Sequence, residues 1–123
     1  MKIVIGGQLD KQELAKMTKD FFGDNVQVDI KNDLDATLAI QNGDYDYYIG
    51  ACNTGGGGAL AMAVSLLGID KTATISMPGN IMSKEKIEEE VKKGKVAFGF
   101  TASHREQVMP ILLNSIKEYN GGL

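Results

Sequence analysis

The sequence predicts an α/β fold, a three-layer αβα sandwich on a five-stranded parallel sheet. Short apolar runs alternate five times with segments of helical periodicity along the 123 residues. Continuous apolar runs between helices are typical of parallel strands that are covered on both faces. A chain of this length buries roughly two-thirds of its unfolded surface. We therefore expect a single domain over residues 1–123.

The first two strand–helix units carry turn and capping signals. Lys2–Ile5 is a β-branched run that ends at two glycines, which predicts strand one. Asp10, with a glutamate three residues later, has capping-box spacing and predicts the start of helix one. Apolar and polar residues alternate over residues 26–30, which predicts strand two. Asp33 or Asp35 is then expected to cap helix two.

The next two units are bounded by glycine and proline. Tyr45–Ala51 predicts strand three, and Ala59–Leu67 predicts a third helix that ends at a glycine. Thr72–Met77 predicts strand four, because a Pro-Gly turn follows this apolar run. Ser83 is expected to cap a charged fourth helix.

The last unit completes the expected topology. Val96–Phe100 predicts strand five, and Ser103, with a glutamate three residues later, predicts the capped start of helix five. Right-handed crossovers favour the flavodoxin-like strand order 2-1-3-4-5, in which ligands bind beyond the carboxyl ends of strands one and three. Gly6-Gly7-Gln8 and Cys52–Gly58 follow these two strands, so we expect them to meet at one site.

Composition narrows the classes of function. A formal net charge of −3 and a pI of about 5.1 argue against a nucleic-acid partner, which needs a basic face. One cysteine cannot form an internal disulfide, which favours a reducing compartment and predicts a cytoplasmic protein. No apolar run approaches the length of a membrane span, so no membrane partner is expected.

Four consecutive glycines, Gly55, Gly56, Gly57 and Gly58, give the strongest functional signal. Glycine within a helix costs about 1 kcal/mol relative to alanine. Free backbone N–H groups at a helix N-terminus attract anions, which predicts a site for a phosphate or carboxylate group. A turn that lets the helix pack closely on the sheet is the alternative. The run lacks the lysine of a P-loop and does not follow the first strand as dinucleotide fingerprints do, so we expect no cofactor.

Polar side chains near the strand ends are the candidates for chemistry. Cys52 precedes a helix N-terminus, where a thiolate is favoured, and a small buried residue that closes the strand is the alternative. His104, the only histidine, is a candidate for acid–base chemistry or anion contact beside Arg105, and an exposed helix-start residue is the alternative. Ser76 is a further candidate to line the pocket. The predicted ligand-binding residues all follow strand ends: Gly6, Gly7, Gln8, Asn53, Gly55, Gly56, Gly57, Gly58 and Thr101.

Two other features have expected roles outside this site. Tyr45, Tyr47 and Tyr48 lie with two aspartates at the amino end of strand three, where packing is the expected role. Helix three, residues 59–67, is apolar on nearly all sides, although a helix on a sheet needs one apolar face. The excess predicts a homodimer or higher homo-oligomer through this helix. No spacing of His, Cys, Asp or Glu indicates a metal site.

Four segments carry a resemblance that runs along almost the full length: Lys2–Gln8, Asp44–Gly68, Ser76–Gly79 and Val96–Ala102. In these segments the chain resembles the YhfU-like family of small bacterial proteins with no assigned function. The resemblance implies a bacterial cytoplasmic protein and supplies no chemistry.

A second resemblance is confined to the loop after strand three. Cys52-Asn53-Thr54-Gly55-Gly56-Gly57 is similar to the Cys-Gly-Thr-Gly-x-Gly loop of type B ribose-phosphate isomerases. The resemblance implies Cys52 as the base that moves a proton and Thr54 as the hydroxyl that helps to open the sugar ring. The glycine amides would hold an anionic intermediate.

The chain departs from those isomerases at three places. Asn53 stands where they have a glycine, and Gly6-Gly7-Gln8 lacks their Asp-His pair. Ala63-Val64 lacks the Asn-Lys that follows in their third helix. The loop therefore predicts an anion site rather than isomerisation.

Three functions stay open from the sequence. The first is binding of a small phosphorylated or carboxylated metabolite. The second is a sugar-phosphate isomerase-like reaction that uses Cys52 and Thr54, so the sequence leaves open whether the protein is an enzyme. The third is a structural subunit of a larger assembly, with helix three as the docking face.

Overall fold

The structure is a computed structural model that describes residues 1–54 and 60–122. Its strands are β1 (Lys2–Gly7), β2 (Gln27–Ile30), β3 (Tyr47–Cys52), β4 (Thr72–Thr74), β5 (Ser76–Met77), β6 (Asn80–Ile81) and β7 (Ala97–Thr101). Its helices are α1 (Lys11–Phe22), α2 (Asp33–Gln41), α3 (Ala61–Leu67), α4 (Lys84–Lys92) and α5 (Arg105–Tyr119). In the described part of the chain, no helix is long and apolar enough to cross a membrane.

Five of these strands form one parallel sheet with helices on both faces. The order is β2-β1-β3-β7-β4, and each neighbouring pair runs parallel. One face packs on α1, α4 and α5 through a core that includes Leu14, Ile87 and Leu112. The other face packs on α2 and α3 through Ala36 and Ala63. The predicted α/β class with a five-stranded parallel sheet is confirmed.

The order of the last two strands differs from the predicted 2-1-3-4-5. The last strand, β7, lies between β3 and β4, and β4 forms the edge. All five residues of β7 are buried, while β4 has three residues, two of them threonines. The apolar strand gains more from the covered central position, because burial of apolar surface drives strand packing.

The predicted strand Thr72–Met77 is divided in two. Its first half is β4, and its second half, β5, leaves the sheet and pairs antiparallel with β6. Pro78 and Gly79 form the turn of this hairpin, with Gly79 at a positive φ of 77°. The turn therefore folds the chain back within two residues of β5.

Helix starts agree with the sequence only in part. Ser83 caps α4 as predicted, because its hydroxyl accepts a hydrogen bond from the Lys86 N–H. Asn32, rather than Asp33 or Asp35, caps α2. The capping boxes predicted at Asp10 and Ser103 are wrong, since α1 and α5 have no side-chain cap.

Two turns explain these missing caps. Asp10 has a left-handed backbone with φ 56°, which turns its carboxylate away from the first helical N–H groups. A three-residue 3₁₀ turn, Ala102–His104, leads directly into α5 and moves the helix start beyond Ser103. The third helix was predicted over 59–67 and spans Ala61–Leu67, while residue 59 lies outside the described residues.

Candidate functional site

Cys52 and Thr101 lie side by side at the carboxyl edge of the sheet. They are the last residues of β3 and β7, and they are directly paired in the register of these neighbouring strands. Paired residues project to the same face of a sheet. Cys52 is 2% exposed and Thr101 is 6% exposed, so both side chains are buried. The strand order therefore brings together two polar groups that are 49 positions apart, from 52 to 101.

In the described part of the chain, the Thr101 hydroxyl, Oγ1, is one of two buried side-chain polar groups without a hydrogen-bond partner, and Arg105 Nε is the other. Buried side-chain hydroxyls are nearly always bonded, and an exception needs an explanation. Thr18 and Thr37 show the usual solution, since each hydroxyl donates to a backbone carbonyl one helical turn earlier. The end of a strand offers Thr101 no such carbonyl.

Cys52 contacts Thr54 in the loop that follows β3. Its Sγ lies 3.6 Å from Thr54 Oγ1, and either atom can donate. Asn53 and Thr54 are exposed. The glycines predicted to cradle an anion, residues 55–58, lie outside the described residues.

Gly6, Gly7 and Gln8 form the other wall of this edge. A Cβ on Gly6 would collide with the ring of Tyr48, and Gly7 has a φ of +77° close against the backbone of Ala51. Gln8 is exposed, and its N–H donates to the Ala51 carbonyl at 2.9 Å. These contacts give both glycines a packing role, and their role in ligand binding stays a prediction.

Tyr48 reaches this edge, although the sequence predicted it to lie away from the site. Its hydroxyl donates to Asp33 Oδ1 at 2.5 Å and accepts the N–H of Gly7, the last residue of β1. The glycines at positions 6 and 50 leave room for the ring to run along the sheet. Burial raises the pKa of Tyr48 above its ordinary value, and the bond to Asp33 raises it further. The two other tyrosines of the cluster serve packing, as expected: Tyr45 bonds Asp29, and Tyr47 bonds Asn120.

His104 belongs to this edge through Ser76. His104 Nδ1 lies 2.9 Å from Ser76 Oγ, and the same oxygen accepts the backbone N–H of Thr101 at 3.0 Å. Ser76 is 2% exposed, while His104 is partly exposed. The two candidates Ser76 and His104 therefore lie next to the strand end that carries Thr101.

Arg105 provides positive charge at the same end of the sheet. Its Nη1 lies 2.8 Å from the Asp10 carboxylate, and its Nε lies 3.3 Å from Glu106. No sequence pattern predicts the Asp10–Arg105 contact, because the two residues are 95 positions apart. Among residues 1–54 and 60–122, no three His, Cys, Asp or Glu side chains are grouped closely enough to hold a metal ion.

The family model described as "Protein of unknown function DUF2620" matches residues 1–116. The chain belongs to this family. YhfU of Escherichia coli strain K12 is 39% identical over 116 residues, which are 94% of this chain and 98% of that protein. YhfU of Shigella flexneri matches with the same identity and coverage. These matches confirm the resemblance to the YhfU-like family.

One solved structure extends the comparison to the fold. The crystal structure of a ribose 5-phosphate isomerase RpiB from Thermotoga maritima matches with a TM-score of 0.66. The match covers 94% of this chain and 84% of that chain, at 16% sequence identity. At this identity the two proteins share the fold, which agrees with the second resemblance seen in the sequence.

Proposed function

We propose that the carboxyl edge of the sheet binds a small phosphorylated or carboxylated metabolite. The observation that carries this proposal is the buried Thr101 hydroxyl, which has no partner among the described residues. An unsatisfied buried polar group costs about 1–3 kcal/mol. A ligand oxygen beside Cys52 would satisfy the hydroxyl and recover this cost.

Three further features support an anionic ligand at this edge. In doubly wound sheets, ligands bind at the carboxyl ends of the strands, near the position of Cys52 and Thr101. Arg105 adds a guanidinium that is about one-third exposed and that an anion would share with the carboxylates of Asp10 and Glu106. The glycine run 55–58 was predicted from the sequence to offer free N–H groups to an anion.

A sugar phosphate is the first ligand to test. The solved structure with the same fold is a ribose 5-phosphate isomerase, so the fold accommodates a phosphorylated sugar in that protein. Asn53 and Thr54 are exposed beside Cys52 and offer polar groups to sugar hydroxyls.

A thermal-shift panel tests the proposal. The probes are ribose 5-phosphate, the sugar acid gluconate, and ribose as the neutral control. Binding of a ligand at 100 times its Kd stabilises the native state by about 2.7 kcal/mol. We expect one of the two anions to raise the melting temperature by several degrees while ribose does not. No shift with either anion at 10 mM, about the highest useful concentration, would count against the proposal.

Isomerisation of an aldose phosphate is a second candidate function. The contact that favours it is the 3.6 Å separation of Cys52 Sγ and Thr54 Oγ1. As a thiolate, Cys52 would remove the C2 proton of the open-chain sugar and return it to C1, while the proton on O2 moves to O1. The enediolate between these two steps carries negative charge, which N–H donors would stabilise. Thr54 would assist the ring opening that precedes them.

Proton exchange separates this candidate from simple binding. Ribose 5-phosphate is incubated with the protein in D2O, and NMR follows the loss of the C2 proton signal. We expect exchange in the parent and a loss of about 10²–10⁴-fold in Cys52→Ser, the usual contribution of a general base. An exchange rate equal to that of the buffer blank, or equal rates in parent and variant, would leave binding as the function.

A further inference from the structure

Ser76 lies where the edge of the sheet ends. The backbone of Ile75 still bonds to β7, since its N–H donates to Gly99 O at 2.9 Å. One residue later the chain has left the sheet, and the next N–H on that side of β7, that of Thr101, has no strand to pair with. The Ser76 hydroxyl oxygen accepts this N–H at 3.0 Å. Ser76 therefore takes the place of a backbone partner.

The hydrogen bonds of Ser76 determine which ring nitrogen of His104 carries the proton. A backbone N–H can only donate, so the Thr101 N–H occupies one lone pair of the hydroxyl oxygen. The hydroxyl has one proton to donate, and Ser76 is 2% exposed. Among the described residues, His104 Nδ1 at 2.9 Å is the partner that can accept this proton. Nδ1 then carries no proton, so the proton of a neutral ring is on Nε2.

We infer that Ser76 is a positioning residue that fixes His104 as the Nε2–H tautomer, so that His104 offers a neutral N–H donor to the ligand. His104 is partly exposed, and its Nε2 has no hydrogen-bond partner in the described part of the chain. An Nε2–H group recognises an acceptor oxygen, which phosphate and carboxylate both provide. This last step rests on the proposed function. In this arrangement His104 orients an anion and does not remove a proton.

NMR of the imidazole nitrogens tests the tautomer directly. The chain has one histidine, so its two ring ¹⁵N signals need no assignment by mutation. The spectra are recorded near pH 8.5, about two units above the ordinary histidine pKa. In the parent we expect Nε2 protonated and Nδ1 unprotonated. A protonated Nδ1, or a mixture of both tautomers, would overturn the inference.

Three variants separate positioning from a general structural effect. Ser76→Ala removes the donor to Nδ1, so both tautomers should appear, while Ser76→Thr should restore the single tautomer. Ser103→Ala changes the exposed neighbour of His104 and should leave the ring signals unchanged. An unchanged tautomer in Ser76→Ala would contradict the role of Ser76. If Ser76→Ala does not fold, the parent spectrum and Ser76→Thr still decide the question.

A titration of the same sample with inorganic phosphate tests this inference and the proposed function separately. The Nε2 signal should shift on binding. A single Nε2–H tautomer without any phosphate shift would uphold the positioning by Ser76 and contradict an anion at His104. A phosphate shift in a parent with mixed tautomers would uphold the anion site and reject the role of Ser76.

Discussion

At the residue scale, Tyr48 joins three parts of the fold through one hydroxyl. It donates to Asp33 at the start of α2 and accepts the N–H of Gly7 at the end of β1. The ring is fully buried. Because burial and the Asp33 carboxylate both disfavour the phenolate, the folded protein keeps the Tyr48 proton at pH values where an unfolded tyrosine has lost it.

Tyr48→Phe should change how the unfolding free energy depends on pH at alkaline pH. A raised pKa contributes stability that is complete below the unfolded value of about 10 and is lost as the pH rises above it. The unfolding free energy of the parent should therefore fall more steeply above about pH 10 than that of Tyr48→Phe. At neutral pH the variant should be less stable by about 1–3 kcal/mol, because Asp33 and the Gly7 N–H lose a partner.

Urea unfolding at several pH values measures both effects. Tyr119→Phe is the matched control, since Tyr119 is exposed and loses no buried contact. The hydrogen bond to Asp29 raises the pKa of Tyr45 to about 12 in the parent and the variant alike. If the unfolding free energies of the parent and of Tyr48→Phe change with pH in the same way, the buried hydroxyl does not remain protonated in the folded state.

Individual residues of the site could be predicted, and their partners could not. Cys52 and Thr101 lie at the carboxyl ends of strands that share one edge, so the alternation of strands and helices was enough to find them. Their direct pairing depends on β7 lying beside β3, which the predicted strand order did not contain. The Ser76–His104 contact depends on the same order and on β5 leaving the sheet.

At the element scale, two glycines let β1 and β3 pack closely around one aromatic ring. A Cβ on Gly6 would meet the Tyr48 ring and lie 3.0 Å from Ala36 of α2, and a Cβ on Gly50 would lie 2.9 Å from the Tyr48 hydroxyl. The small residues therefore let the ends of β1 and β3 lie close together. The alternation of apolar residues predicted these strands, but it contains no information on which glycine faces a ring.

Gly6→Ala should destabilise the protein by about 1–3 kcal/mol, the usual cost of an added methyl group in a packed core. In a Tyr48→Leu background the added methyl group no longer meets the aromatic ring, so the same substitution should cost less. Urea unfolding of the four proteins of this double-mutant cycle measures the coupling, which we expect within about 0.5–3 kcal/mol. Additive costs would show that the Gly6 backbone and the Tyr48 ring do not constrain each other.

At the scale of the whole molecule, α3 leaves apolar side chains uncovered in the single chain. Ala63 is buried against the sheet, but Val64 is 40% exposed, and Ile69, just after the helix, is 74% exposed. Leu66 is exposed as well. We propose that a second copy of the chain covers this surface, which would make the protein a homodimer or higher homo-oligomer.

Val64→Glu should then shift the protein toward the monomer. A two-fold interface pairs the same patch of both chains, so one substitution introduces two charges at the contact. Ser65→Glu is the matched control, since Ser65 is the exposed neighbour on the same helix. Sedimentation equilibrium decides between the outcomes. A parent that stays monomeric at high micromolar concentration would contradict the proposal.

We propose that the Thr101 hydroxyl serves to bind a ligand, and the unfolding free energy of Thr101→Val tests this role. Without ligand, valine removes a buried hydroxyl that has no partner among the described residues, so the variant should be as stable as the parent or more stable by about 1–3 kcal/mol. Thr18→Val is the control and should be destabilising, because the buried Thr18 hydroxyl donates to Leu14 O at 2.8 Å. With ribose 5-phosphate present, the parent should gain stability, and Thr101→Val should gain less. A Thr101→Val protein destabilised as much as Thr18→Val, or stabilised by the sugar phosphate as much as the parent, would contradict the claim.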